Sequence, residues 1–316
     1  MMFIGIDLGG TNIAVGLVSE KGKLIASGST PTMSERDYTE IVKDMAVLAE
    51  KLLKENNIDK SEVKAIGIGS PGTIDSDNGV VVYSNNIRFN MTPLRDEMQK
   101  YFDVPVAVEN DANAAAYGEY FASGDNASSF LAVTLGTGVG GGIILDKKIY
   151  RGFNGAGAEV GHTTLIKDGE QCTCGRKGCW ETYASVTALI RQTKEAMAED
   201  PDSIMHEIVK EYGSVSGRTS FDAAKRGDKT ALKVVNKYVE YVAEGITNLV
   251  NIFQPEIIVV GGGISREGEY LIAPVRKLVE ENDYNKLLRR TEIKVATLFN
   301  EAGIIGAAFA AKALIK

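Results

Sequence analysis

Cysteine, histidine and runs of basic residues are scarce in this chain, and each scarcity excludes a class of protein. Three cysteines among 316 residues, all between Cys172 and Cys179, do not make the even-numbered framework that staples small secreted domains. An intracellular metal site suits them better. Lys and Arg number 35 against 42 Asp and Glu, a net charge of −7, and no basic run is present to follow a nucleic-acid backbone. Nucleic acid is not expected as a partner. The N-terminus, Met1-Met2-Phe3-Ile4-Gly5-Ile6-Asp7, lacks the basic segment and long apolar core of a secretion signal. The uncharged stretch from Ser128 to Leu145 nominally reaches membrane-spanning length, but its five glycines point to two short strands around a turn. A cytoplasmic protein with no membrane partner is expected. The motif Gly-x-x-x-x-Gly-Lys-Ser/Thr is also absent, so a P-loop nucleotide fold is not supported.

Glycine, by contrast, is abundant: 34 residues, against an average near 7% of a chain. The length exceeds one ordinary domain, and two lobes are expected. Phe3 to Ile6 and Ile13 to Val18 are apolar runs joined by Asp7-Leu8-Gly9-Gly10-Thr11-Asn12, a hairpin with a glycine turn. Between Tyr38 and Leu53, Ile41, Met45, Leu48, Ala49 and Leu52 keep helical spacing. Val63 to Gly69 and Val104 to Val108 are buried strands, and a helix starts directly afterwards at Asp111. The strand, glycine turn, strand order then repeats from Leu131 to Leu145, an internal duplication. Helices follow from Ser185 to Ala198 and from Lys229 to Phe253. Glu256 to Val260 is a strand ending in Gly261-Gly262-Gly263, with a helix behind it to about Glu281, and Ala302 to Leu314 is the last helix.

Glycine turns at strand ends expose backbone N–H groups in a concave array suited to polyphosphate. Three occur here: Gly9-Gly10-Thr11, Gly136-Thr137-Gly138 and Gly261-Gly262-Gly263, the last ahead of a helix whose dipole would assist. Each alone also suits an empty hairpin. Asp7 carries the wrong charge for phosphate and makes sense through magnesium and its water shell. Asp111, where a strand meets a helix, is placed either to cap that helix or to take a proton from an attacking hydroxyl, and Asn110 beside it could hold a second hydroxyl. Cys172, Cys174 and Cys179 supply three soft ligands in a loop that Gly175 and Gly178 allow to turn tightly. Of the two histidines, His206 sits in a short amphipathic helix as an ordinary surface residue, and His162 is the better fourth ligand. Such a Cys3His set describes a structural zinc; a reduced thiol cluster is the alternative.

Four segments together are distinctive: Asp7-Leu8-Gly9-Gly10-Thr11-Asn12, Glu109-Asn110-Asp111-Ala112-Asn113-Ala114-Ala115-Ala116, Leu135-Gly136-Thr137-Gly138-Val139-Gly140-Gly141-Gly142, and Cys172-Thr173-Cys174-Gly175-Arg176-Lys177-Gly178-Cys179-Trp180-Glu181. They resemble the signatures of the ROK family, which contains bacterial glucokinases, other sugar kinases and sugar-responsive repressors. The resemblance implies an α/β, two-lobed, actin-like ATPase (ribonuclease H-like) fold with a central cleft. We expect a smaller lobe from residues 1–110, joined by the C-terminal helix 302–316, and a larger lobe from residues 111–301 with the zinc loop. It further implies Asp111 as general base and sugar hydroxyls at Asn110, Asp111, Glu159, His162 and Glu181; Asn85 is expected to contribute, and the glycine turns set ATP and Mg2+ at Asp7, Gly9, Gly10, Thr11, Asn12, Gly136, Thr137, Gly138, Gly261, Gly262 and Gly263. Glucose is the expected acceptor, with fructose, mannose or N-acetylmannosamine as alternatives, and a homodimer or higher homo-oligomer is expected. The family's repressors carry a DNA-binding region before the first ATPase strand, for which a strand at Phe3 is expected to leave no room.

Overall fold

The computed structural model describes residues 1–123 and 126–315. Its strands are β1 (Met2–Leu8), β2 (Asn12–Ser19), β3 (Leu24–Pro31), β4 (Val63–Ser70), β5 (Thr73–Asp75), β6 (Val80–Tyr83), β7 (Asn90–Thr92), β8 (Val106–Asn110), β9 (Ser129–Leu135), β10 (Val139–Leu145), β11 (Lys148–Ile149), β12 (Ile257–Gly261) and β13 (Glu292–Val295). Its helices are α1 (Tyr38–Glu55), α2 (Leu94–Gln99), α3 (Asp111–Ala122), α4 (Glu181–Ala184), α5 (Val186–Glu199), α6 (Met205–Tyr212), α7 (Thr219–Lys225), α8 (Lys229–Phe253), α9 (Glu269–Asn282) and α10 (Ala302–Lys312). The strands form two five-stranded sheets, β3-β2-β1-β4-β8 and β11-β10-β9-β12-β13, and a small sheet β5-β6-β7. In both large sheets a hairpin is extended on one side by the next strand in sequence and on the other by two later strands. The duplication expected from the two hairpin sequences is thus present in the strand order. Among the described residues no helix is long and apolar enough to cross a membrane, and Ser128 to Leu145 forms β9, a glycine turn and β10.

The first compact unit comprises Met1–Ala132, Gly142–Ala158 and Thr297–Lys316. Strand β1 runs antiparallel to β2 and parallel to β4, and β4 runs parallel to β8. Apolar side chains of β1, β2 and β4 are buried with Ile41, Met45, Ala49 and Leu52 of α1, the face that the helical spacing marks out. Asp37 starts this helix by accepting the Thr39 N–H at 2.9 Å. The unit's bounds differ from the division expected at residue 110, because α3 packs along α10. Gly306 permits that approach: a Cβ there would lie 1.7 Å from the Ala114 carbonyl oxygen.

The second unit comprises Val133–Gly141 and Glu159–Ala296. Helix α8 buries Val235, Val239, Val242, Ile246 and Leu249. Trp180, which has no role assignable from sequence, is 1% exposed, donates its indole N–H to the Tyr241 carbonyl at 2.8 Å and packs against Gly245 of α8. It is a packing residue. One expected helix start is corrected: α9 does not follow Gly263 directly. A 3₁₀ segment, Gly263–Glu267, intervenes, and Gly268 at φ 60° precedes the helix. The helix dipole is therefore displaced from the glycine turn by that segment.

Candidate active site and metal cluster

Strand register gathers the candidate carboxylates of the first unit. Asp7 of β1 pairs with Gly69 of β4, and Gly69 with Glu109 of β8. Asp7 and the Glu109-Asn110-Asp111 run therefore stand together at the C-terminal ends of parallel strands, the edge where open α/β sheets hold ligands. Loss of water around the half-buried Asp7, and then the negative charge of Asp111, raise its carboxyl from 3.8 to about 6. Burial raises Asp111 too, opposed by the backbone N–H of Ala112.

Capping, one of the two roles open to Asp111 from sequence, belongs to its neighbour. Asn110 Oδ1 accepts the N–H groups of Ala112 at 3.0 Å and Asn113 at 3.2 Å, while its Nδ2 donates to the Gly72 carbonyl at 3.2 Å. Both ends of the Asn110 amide are engaged. Asp111 Oδ1 also accepts the Ala112 N–H, at 2.8 Å. Asn85 is exposed between β6 and β7, with its Oδ1 accepting the Tyr83 hydroxyl. The next residue borders the first glycine turn, since a Cβ on Gly10 would lie 3.1 Å from the Asn86 carbonyl oxygen.

Two functional candidates escape the sequence reading. Glu109 is 2% exposed, and Arg151, beyond β11, donates to its Oε2 from Nη2 at 2.5 Å and from Nε at 2.7 Å. The available signal is the spacing of Glu109 and Asn113, four residues apart across the strand-to-helix junction, whose side chains meet at 3.2 Å. Arg151 carries no local signal.

The glycine turns are partly closed on themselves. Gly9 donates to the Asn12 carbonyl at 2.9 Å and Gly136 to that of Gly138 at 3.0 Å. These two N–H groups are occupied, so exposed backbone donors fall to neighbouring positions such as Gly10, Thr11, Thr137 and Gly138. In the second unit Gly262, at φ 87°, packs so closely on the end of β9 that a Cβ would lie 2.3 Å from the Leu135 carbonyl oxygen. The turns Gly136–Gly138 and Gly261–Gly263 are thereby adjacent. A cavity of about 430 Å³ opens beside Thr137 and Gly138 and reaches Glu181 and Arg191.

In the same unit, His162, Cys172, Cys174 and Cys179 bring one ligand atom each within 4.8 Å of all the others. His162 Nδ1 lies 3.6 Å from Cys172 Sγ, and the sulfurs of Cys174 and Cys179 lie 3.6 Å apart. Zinc–sulfur bonds of about 2.3 Å in a tetrahedron set neighbouring ligand atoms about 3.8 Å apart, so the residues fit a zinc ion. The loop holds this arrangement with its own backbone: Cys172 N–H donates to the Arg176 carbonyl and Gly178 N–H to that of Glu170, both at 2.8 Å. Glu159 is exposed one turn before His162, whose N–H donates to its carbonyl at 3.1 Å. Glu181 Oε1 accepts from the Cys172 thiol at 3.0 Å and lies 3.5 Å from His162 Nδ1. Its Oε2 lies against Gly138, where a Cβ would approach it to 2.5 Å. Glu181 thus joins the cysteine cluster to the second glycine turn. His206 stands apart, its Nε2 3.1 Å from the Met197 and Asp200 carbonyl oxygens.

Comparison with known proteins bears on the family and the fold. A sequence model of the ROK family matches residues 3–313. A glucokinase of Thermotoga maritima is 37% identical, the alignment covering 98% of this chain and 96% of the relative. A glucokinase of Halalkalibacterium halodurans is 36% identical, with 98% and 94% covered. The crystal structure of a ROK family glucokinase from Streptomyces griseus in complex with glucose and AMPPNP superposes with a TM-score of 0.83 at 34% identity, covering 99% of this chain and 100% of that one. The α/β fold is the actin-like ATPase fold expected from the four signatures, and the chain belongs to the ROK family.

Proposed function

We propose that the chain is an ATP-dependent hexose kinase that converts glucose to glucose 6-phosphate in the cytoplasm. The observation that carries this reading is Asp111: a partly buried carboxylate at the ligand edge of the first sheet, beside an Asn110 whose side chain takes the helix cap. Asp111 would accept the proton of the glucose 6-hydroxyl as that oxygen bonds to the γ-phosphorus of ATP and the bond to the departing ADP breaks. Asn85, Asn110, Glu159, His162 and Glu181 would hydrogen-bond the sugar hydroxyls, and an incorrect epimer would leave some of these groups unpaired. The polyphosphate would lie against Gly9, Gly10, Thr11, Asn12, Gly136, Thr137, Gly138, Gly261, Gly262 and Gly263, with the backbone donors of the first two turns supplied chiefly by Gly10, Thr11, Thr137 and Gly138. Asp7 would hold magnesium, directly or through water, and the ion would neutralise phosphate charge.

His162, Cys172, Cys174 and Cys179 would hold a structural zinc. With Nδ1 turned toward the metal, His162 keeps Nε2 for a sugar hydroxyl, its tautomer set by the other nitrogen. A homodimer or higher homo-oligomer follows the family's habit. The test is an ADP-release assay across glucose, fructose, mannose and N-acetylmannosamine. Glucose should give the highest kcat/KM. Preference for an N-acetylated sugar by tenfold or more would reject glucose while leaving a kinase, and no ADP release with any hexose would reject the kinase.

A further inference from the structure

Glu109 and Arg151 form an ion pair at the first unit's ligand edge, the carboxylate buried and the guanidinium partly exposed, and their bonds are divided in an informative way. Glu109 Oε2 takes both Arg151 donors. Its Oε1 takes the backbone N–H of Asn110 at 3.0 Å and the side-chain amide of Asn113 at 3.2 Å. One carboxylate therefore grips the chain on either side of Asp111, at the last residue of β8 and in the first turn of α3. The Arg151 backbone is itself held, since its carbonyl accepts the Gly157 N–H at 2.9 Å.

A buried carboxylate is a poor choice for stability alone, because a well-packed neutral group of similar volume often serves as well or better. What the charge adds is shorter, stronger and more directional bonds. That matters where a base must meet a hydroxyl, for small displacements from productive geometry lower the rate steeply. We propose that Glu109, held by Arg151, is a positioning residue that fixes the direction of the Asp111 carboxylate for proton transfer; this rests on the reading of Asp111 as general base.

Glu109→Gln has a single acceptor oxygen: left on Asn110 and Asn113, it turns the NH2 group toward the Arg151 donors. In that variant kcat should fall roughly 10- to 100-fold, while KM for glucose and for ATP should each stay within about threefold. The second variant, Glu109→Gln with Arg151→Met, removes the pair without burying a lone charge and should show the same split. Both are then built on Asp111→Asn, whose residual turnover is followed with radiolabelled ATP. If Glu109 acts through Asp111, the added loss there should be under about twofold, because groups that work as a unit are not additive. The same fold-loss in both backgrounds, a kcat within twofold of the unaltered enzyme, or failure of the neutral double variant to fold would overturn the positioning role. Absence of any hexose phosphorylation by the unaltered enzyme would instead overturn the kinase reading beneath it.

Discussion

Asp7→Asn should raise stability at alkaline pH and remove most of the activity. In the fold the carboxyl of Asp7 is raised from 3.8 to about 6, roughly two units at about 1.36 kcal/mol each. Keeping it ionised therefore costs about 3 kcal/mol as an upper bound, part of it repulsion from Asp111. The folded value lies above the unfolded one, so protonation favours the fold. The penalty is absent below 3.8, grows as pH rises toward about 6 and is complete above it. An isosteric, uncharged Asn escapes it, which predicts a gain of about 1–3 kcal/mol at pH 8 and none at pH 4. For a chain of this size each kcal/mol raises the unfolding midpoint by roughly 2–4 °C. Thermal unfolding at both pH values, without divalent metal, measures the gain; turnover with magnesium and ATP should fall by roughly tenfold or more, since a magnesium ion held by Asp7 as proposed would lose a ligand. An equal change at the two pH values, or a loss at pH 8, would refute the assignment of the penalty to a buried charge.

Asp111→Asn should retain the fold and glucose binding while lowering turnover by roughly 10² to 10⁴; near-normal turnover in a coupled assay would remove Asp111 from proton transfer. Purified protein should contain one zinc per chain, and Cys174→Ser should raise KM for sugar more than KM for ATP, because the loop it disorders carries His162 and leads to Glu181. Active enzyme without stoichiometric zinc by elemental analysis, or Cys174→Ser with unchanged sugar affinity, would contradict this. Gly306→Ala should destabilise the first unit by about 2 kcal/mol or more, given the 1.7 Å approach to the Ala114 carbonyl; an unchanged unfolding midpoint would show that α3 and α10 separate at little cost.

Local pattern accounts for what sequence reasoning finds in the fold. The buried β1 and β2 are apolar runs closed by glycine, and α1 and α8 follow helical spacing, so each announces itself within its own residues. Strand β3, Leu24–Pro31, alternates intermediate and exposed positions, and a run such as Ala26-Ser27-Gly28-Ser29 offers no apolar period to detect. The small β5-β6-β7 sheet and the two-residue β11 are too short for a period at all. At Gly261-Gly262-Gly263 the glycines are visible, but whether an α-helix or a 3₁₀ segment follows depends on tertiary packing.

The candidate site divides along the same physical line. The residues of each candidate phosphate turn, and three of the four candidate metal ligands, are close in sequence, because a tight loop presents several N–H groups or three thiols from neighbouring residues. Such groups are legible. The residues that orient them obey no such limit: Arg151 reaches Glu109 from the far side of β9 and β10 in the sequence, and Glu119, buried in the alanine-rich α3, accepts the N–H groups of Thr297 at 2.9 Å and Leu298 at 2.8 Å. Each is a single charge whose meaning lies wholly in a partner brought near by folding. A buried acid is nevertheless informative once its burial is known, since ionised oxygen without partners is expelled from a protein interior. Both glutamates, at the start and the end of the same segment 109–119, therefore had to find donors, and the donors they found fix the two ends of α3: Glu109 at the Asn110–Asp111 junction, Glu119 at the chain entering α10. The helix that begins with the candidate base is thus held at both ends by acids that the sequence leaves without visible partners.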